Sequence, residues 1–249
     1  MPLVSNTRSI FLNDGQANLA KIVASGTGGW TGVVGNAAVS VSVWFKTTAE
    51  RKALGTICAW GDDDTPGAGV SIDHLFSDKP HFVTGGGEFR RWEVTGSSGI
   101  LDEEWHHFAF TCPVAGTPAN VKFYHNGVLV SPEATVGSTP KNTSAGAFFR
   151  VGVDTKDKFQ LNALVDELAV WNVELSAAAV AQIYNSGFAN FDLTTNSGNY
   201  NAAANGQLWW RFENSAADQV IDSFGNGNSR NGFLPDLFVT TIYRADTST

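Results

Sequence analysis

Cysteine is scarce: only Cys58 and Cys112 occur in 249 residues, too few for a disulfide scaffold or a four-cysteine zinc site. Both fall in strand-like runs among apolar neighbours, where a free thiol behaves as a small hydrophobe. Buried free thiols are therefore expected, with one disulfide as the alternative. No stretch approaches the roughly 18 consecutive apolar residues of a membrane span. Residues 1–10 show neither the basic and apolar regions nor the cleavage site of an export signal, so membrane insertion and ordinary export are not expected. Charge is also sparse, at 16% of residues, and cations are in deficit: 16 Lys and Arg against 24 Asp and Glu give a formal charge of -8. Such a surface repels phosphate backbones and anionic lipid, which argues against a nucleic-acid partner.

Methionine occurs once, whereas the chain has 26 glycines, 17 phenylalanines and 8 tryptophans. Aromatic residues suit a pleated, half-buried surface and glycines serve turns, so this is the profile of strands and turns. Residues 39–46 read V-S-V-S-V-W-F-K, with Val39, Val41, Val43 and Phe45 on one face and Ser40, Ser42, Trp44 and Lys46 on the other. Strict alternation predicts a half-buried strand. Further strand-like runs are expected at 56–60, 70–75, 81–84, 91–95, 105–112, 121–125, 128–130, 149–153, 208–212, 220–222 and 238–243. Asn126-Gly127 between two of them predicts a two-residue hairpin turn. Helical spacing of Val180, Ile183 and Tyr184 after Ser176, a plausible N-cap, predicts one short helix ending before Gly187. Many short strands and one late helix indicate an all-β antiparallel sandwich.

Several segments, read in order, resemble the laminin-G-like, concanavalin-A-like superfamily. They are S-I-F-L-N-D-G-Q from Ser9, V-S-V-W-F-K from Val41, W-H-H-F-A-F-T from Trp105, V-K-F-Y-H-N-G from Val121, F-R-V-G from Phe149 and L-V-D-E-L-A-V-W-N-V-E-L-S from Leu164. The resemblance implies a jelly-roll β-sandwich. It departs from the family where three alanines follow Ser176 in place of a first-turn glutamate, which removes the capping box. L-W-W-R-F-E-N from Leu208 and V-I-D-S-F-G-N-G-N from Val220 resemble the ends of such proteins in marine bacteriophages. The expected organisation is a sandwich over 1–187, a polar connection over 188–207, and a C-terminal strand segment over 208–249 that completes the sandwich or packs on a neighbouring subunit.

Hydrolytic chemistry finds no support. There is no G-x-S-x-G nucleophile elbow, and no Glu-x-Asp-x-x-Glu strand motif of the glycosidases that share the general fold. Asp166 and Glu167 are adjacent on a strand and point to opposite faces, so they cannot act as a close pair. The same geometry separates His106 from His107, leaving structural roles. Alternation sets Asp166 on the face of Leu164, Leu168 and Val170, where a carboxylate needs partners. It either accepts backbone hydrogen bonds or, as the resemblance allows, binds a structural calcium together with Asp14. Asp62, Asp63 and Asp64 share a loop with Pro66, Gly67 and Gly69; the spacing is partly like a calcium loop, but Pro66 is misplaced and a solvated acidic turn is the alternative.

For a glycan, loops beside exposed aromatics are the natural search area, since sugar rings stack on flat apolar faces. That selects Trp60 with Asp62, Asp63 and Asp64, and Arg90, Arg91 and Trp92 after Gly85-Gly86-Gly87. The expected function is a non-enzymatic bacteriophage virion surface protein, a capsid decoration or fibre component. Its expected partners are other virion proteins, copies of itself and, as an added role, a host-surface glycan. A cellular carbohydrate-binding module is the alternative.

Overall fold

The computed structural model describes residues 8–12, 21–24, 28–47, 54–75, 79–94, 99–216, 219–233 and 243–245. The strands are β1 (Arg8–Leu12), β2 (Ile22–Val23), β3 (Val39–Thr47), β4 (Leu54–Gly61), β5 (Gly69–Leu75), β6 (Lys79–Val83), β7 (Phe89–Trp92), β8 (His106–Cys112), β9 (Lys122–His125), β10 (Val128–Val130), β11 (Pro132–Val136), β12 (Arg150–Val151), β13 (Ala163–Trp171), β14 (Gly206–Ala216), β15 (Gln219–Asp222), β16 (Gly232–Phe233) and β17 (Tyr243–Ala245), with helix α1 (Ala177–Tyr184) after β13. All described pairings are antiparallel. One layer runs β10-β9-β8-β3-β13, and the far edge of β13 is shared by β1 and β14. The other runs β2-β12-β4-β5-β6-β7-β11. Strands β15 and β16 carry the hydrogen bonding from β14 round to β2, so the sandwich closes along one side.

Alternation decides what fills the space between the layers. Val39, Val41, Val43 and Phe45 of β3 join Phe108, Phe110 and Cys112 of β8 in a core with Trp60, Ile72, Phe82 and Trp92 from the opposite layer. Phe110 contacts Phe82 and Trp92 across the gap, with ring centroids 6.2 and 5.7 Å apart. Both cysteines are free and buried in this core. The expected hairpin forms: Asn126 and Gly127 have φ of 50° and 77°, as its turn requires, and Val128 pairs with His125.

The other face of β3 is not solvated as its serines suggest. A second apolar layer, built from α1 and residues 188–203, covers it. Ser40 Oγ donates to the Val173 carbonyl at 2.7 Å and accepts from Leu175 N, while Trp44 stacks on Tyr184. The segment read as a polar connection thus supplies Leu193, Tyr200 and Ala202 to a core with Trp171 and Trp209. Ser176 caps α1 by accepting from Ala179 N at 3.1 Å. The left-handed residue that ends the helix is Asn185, φ 50°, two positions before the expected glycine. Strands at 132–136 and 22–23 carry little apolar alternation; the first is held by pairing and by Glu133 with Lys79 and Arg91, the second by pairing and by Ile22 in the main core.

The stripe of Leu208, Trp210 and Phe212 on β14 is buried in the main core, and β14 pairs with both β13 and β15. A chain ending at Gly206 therefore loses three large core side chains, each worth about 1.5 to 3 kcal/mol when buried. It should fail to melt cooperatively and should aggregate, as followed by calorimetry and light scattering; a monodisperse product melting like the full chain would contradict the placement of β14.

Candidate loop-rim binding site

Loops that join the strands of the second layer meet at one end of the sandwich. Residues 62–68 contact residues 139–144 through Asn142 N to Gly67 O and Ser144 N to Ala68 O. They contact residues 85–88 through Gly86 N to Asp63 O at 2.7 Å. This approach needs Gly85, because a Cβ there would stand 2.4 Å from the Thr65 carbonyl. Asp63 then ties in the loop 154–159, its Oδ2 accepting from Thr155 N at 3.1 Å and Thr155 Oγ1 at 2.6 Å. Lys156 reaches Asp64 Oδ1.

Asp154 organises that last loop. Its Oδ1 accepts from Lys156 N and Lys158 N, and its own N–H donates to the Lys158 carbonyl. Such tight wrapping forces Asp157 and Phe159 to φ of 60° and 53°, a strained region for bulky side chains. Phe159 is consequently held 46% exposed, and Asp157 points at two cations, Arg150 Nη1 at 2.8 Å and Lys21 Nζ at 2.7 Å. Two residues before Arg150, Phe148 is 41% exposed, its ring against Gly29, where a Cβ would meet the ring at 2.2 Å. Each of these two half-exposed rings lies two residues along the chain from a member of the lysine–aspartate–arginine cluster, and Asp64 joins the same loop through Lys156. Hydrogen bonds from Asp64 N and Thr65 Oγ1 hold the Asp62 carboxyl below its ordinary range.

The glycan contacts expected from the sequence are placed differently. Trp60 is fully buried, its Nε1 donating to the Val33 carbonyl at 3.1 Å, and Trp92 is 1% exposed against Phe110 and Phe123. Neither ring can stack on a sugar, because each fills the space between the layers. Arg90 is occupied in holding residues 118–121, donating through Nη1 to the Ala119 and Val121 carbonyls, and Arg91 pairs with Glu133 at the β7–β11 edge. Asp63 turns inward, leaving Asp62 and Asp64 as the outward acids. The outward aromatics were missed; the Phe148-Phe149 pair was the available signal, since adjacent strand residues face opposite ways.

Asp14 lies outside the described residues. Asp166 is buried, and its Oδ1 accepts from Glu167 N at 2.8 Å. It does not share a face with Leu168 and Val170. Glu167 adopts φ 47° in a bulge, so Val165 and Leu168 both face the main core while Asp166 sits opposite Trp44 on the other face. Glu167 accepts from Trp209 Nε1 at 2.6 Å and pairs with Arg211. Among the described residues, no three His, Cys, Asp or Glu side chains stand together as a metal site. A shallow depression lined in part by Ser42, Trp44, Glu167, Ile183 and Phe191 lies between the first layer and residues 189–193. Its walls are nearly all buried packing side chains, so it is a crevice between layers.

Residues 10–181 match the family described as the concanavalin A-like lectin/glucanases superfamily, of the laminin G type. The chain belongs to that family. Among solved structures, this superfamily member is similar to a candidate carbohydrate-binding protein of Bacteroides ovatus, with TM-score 0.62 and 14% identity over 96% of this chain and 60% of that one. The chain therefore spans less than two thirds of that structure's length. It is also similar to a heptameric SAP-like pentraxin of Limulus polyphemus, with TM-score 0.49 and 14% identity over 72% and 82%. A further likeness is to mouse laminin alpha1 domains LG4-5, with TM-score 0.44 and 14% identity over 71% and 44%. No curated protein sequence matches the chain.

The adjacent histidines of β8 split as the strand period requires. His107, on the outer face, contacts Ser42 Oγ at 2.8 Å and lies beside Trp44 and Tyr184. His106 contacts His125 and Asp102, each at 2.8 Å. Burial, then the neighbouring His125, pushes His107 down to about 3; burial, then His106, pushes His125 down to about 4. Folding thus favours the neutral rings, and their contribution is present above the unfolded value of about 6.5 and lost as pH falls through the folded values. Urea unfolding at a series of pH values should show stability dropping below about pH 6.5. The drop should be shallower in His107→Asn and shallower again with His125→Gln added; equal slopes in all three proteins would refute it.

Proposed function

We propose that the chain is a non-enzymatic recognition module that binds a glycan at the loop rim. The observation that carries this reading is the exposure of two aromatic rings, Phe148 and Phe159, on the segments that also supply Arg150 and Asp157 to the ion-paired cluster with Lys21. Sugars present an apolar C–H face edged by hydroxyls. Flat aromatic surface takes the face, and fixed charged groups take the hydroxyls, with Asp157 held by two cations so that its carboxylate does not rotate. Membership of a lectin-containing superfamily supports the same reading, as does the fold likeness to a candidate carbohydrate-binding protein. The non-enzymatic part is supported by the state of the acids: Glu167 is spent on Trp209 and Arg211, and Asp62 and Asp64 on their own loop and Lys156.

The finer reading is display on a bacteriophage particle, as a capsid decoration or fibre component with other virion proteins and copies of itself as partners. Its support is the phage-like tail, L-W-W-R-F-E-N from Leu208 and V-I-D-S-F-G-N-G-N from Val220. A cellular carbohydrate-binding module would use the same rim, and detection of the chain in purified particles separates the two settings.

A glycan array should give a defined set of hits for the intact chain. Phe148→Ala and Phe159→Ala should each weaken the best hit roughly tenfold, the equivalent of about 1.4 kcal/mol, with the melting temperature little changed because both rings face solvent. Wild-type affinity in the double variant would exclude the rim as the binding surface, and turnover of any hit would exclude the non-enzymatic reading.

A further inference from the structure

Strands β10 and β11, joined through Ser131 alone, end the first and second layers, and the two edges are built differently. Among the described strands β11 pairs only with β7. It opens on Pro132, which has no N–H to offer, and carries Glu133, held by Lys79 at 2.6 Å and by Arg91 at 2.9 Å. Proline and charge are the ordinary means by which an edge is kept from pairing with another chain. Strand β10 pairs only with β9 among the described strands and has neither safeguard. Residues 126–132, N-G-V-L-V-S-P, carry no charge, and Val128 is 68% and Leu129 56% exposed, while Val130 leans on the main core. The backbone is aimed outward as well. The two-residue turn at Asn126-Gly127 makes His125 and Val128 a hydrogen-bonded pair, so the next pair, Tyr124 and Leu129, exchanges no bonds. The N–H and C=O of Tyr124 point to β8, where Tyr124 faces Ala109, and those of Leu129 point to the open edge.

We infer that β10 is a self-association edge, to which β10 of a second copy adds antiparallel on a two-fold axis through Leu129, so that the first layers of two chains join as one sheet. A residue with both backbone groups outward is what such an axis needs at its centre, since Leu129 then donates to and accepts from its own counterpart. Val128 of each copy comes opposite Val130 of the other. Because V-L-V reads the same in both directions, the side chains across the axis match themselves. Charge favours the same place. A chain of formal charge -8 repels its own copies, so contact between them needs an uncharged stretch. The charged side chains on the adjoining strands, Lys122 and Glu133, are already paired, the first with Glu174 at 2.8 Å. A strand this short covers far less than the roughly 800 Å² per partner of a stable complex, so the pairing is weak, with a dissociation constant on the order of 100 μM. Copies of the chain were proposed above as partners; β10 gives that contact a surface, and it does not depend on the glycan rim.

The test uses the full chain and no glycan, so the edge and the rim can fail separately. Sedimentation of the wild type from about 10 μM to about 1 mM should show the mass rising from one chain toward two. Over the same range, hydrogen-exchange protection of the Leu129 amide should rise about fourfold, while that of Val128, already bonded to β9, stays constant. Leu129→Lys and Leu129→Glu change a side chain that faces water, and each should remain a single chain throughout, because like charges meet at the axis. An equimolar mixture of the two should dimerise again, since position 129 faces itself. A wild type that stays a single chain at about 1 mM, a dimer that survives in either variant, or a mixture that does not associate overturns the inference. Should a variant fail to fold, the Leu129 amide of the wild type decides: protection that climbs with concentration supports the paired edge, and protection that does not leaves β10 to a different partner or to none.

Discussion

Strand β13 pairs with β1, β3 and β14 and supplies side chains to both cores, and it does so because of one extra residue. Its first half pairs with β1 and its second with β14, while β3 lies along its whole length on the other side. Period-two alternation without interruption would place Val165 and Leu168 on opposite faces. The bulge at Glu167 returns both to the main core and sends Ala169 and Trp171 to the second core under α1. The bulged glutamate is then secured by Trp209 and Arg211 of β14, so that the strand that requires the irregularity also neutralises it. Breaking a buried pair of this kind costs about 3 to 5 kcal/mol, because the remaining charge is left without a partner.

Burial on both faces of β3, β8 and β13 leaves the loops of the second layer as the candidate surface. Residues 188–203 and α1 occupy the outer face of β3, β8 and β13, and the crevice beside them is lined mostly by buried packing side chains. The loops of the second layer have no such cover. Their mutual hydrogen bonds, through Asp63, Asp154 and the backbone of residues 67–68, hold a strained turn in place and keep Phe159 outward. The strain is sustained because several independent bonds determine the same loop.

How much of this was legible in the sequence depends on distance along the chain. The sandwich, the Asn126-Gly127 hairpin and the Ser176 cap rest on local chemistry, and the structure has them where the residues place them. The burial of Ser40 and Ser42 was not legible, because a serine on a polar-looking face says nothing about a layer that arrives over a hundred residues later. The same holds for Asp166: one inserted residue reverses the face of all that follows, and alternation carries no mark of a bulge. Trp60 and Trp92 illustrate the limit for sites. A tryptophan beside a polar loop reads alike whether it faces water or the core, and here both rings fill the space between layers. Phe148 and Phe159 gave weaker signals because their exposure depends on Gly29 and on the wrapping of the loop around Asp154.

Backbone amide chemical shifts of the labelled chain, followed during titration with the strongest glycan from an array, test the central claim most directly. The account predicts perturbations confined to residues 62–64 and 148–159. Perturbations centred on Ser42, Trp44 and Phe191 instead, or none at saturating glycan, would contradict it.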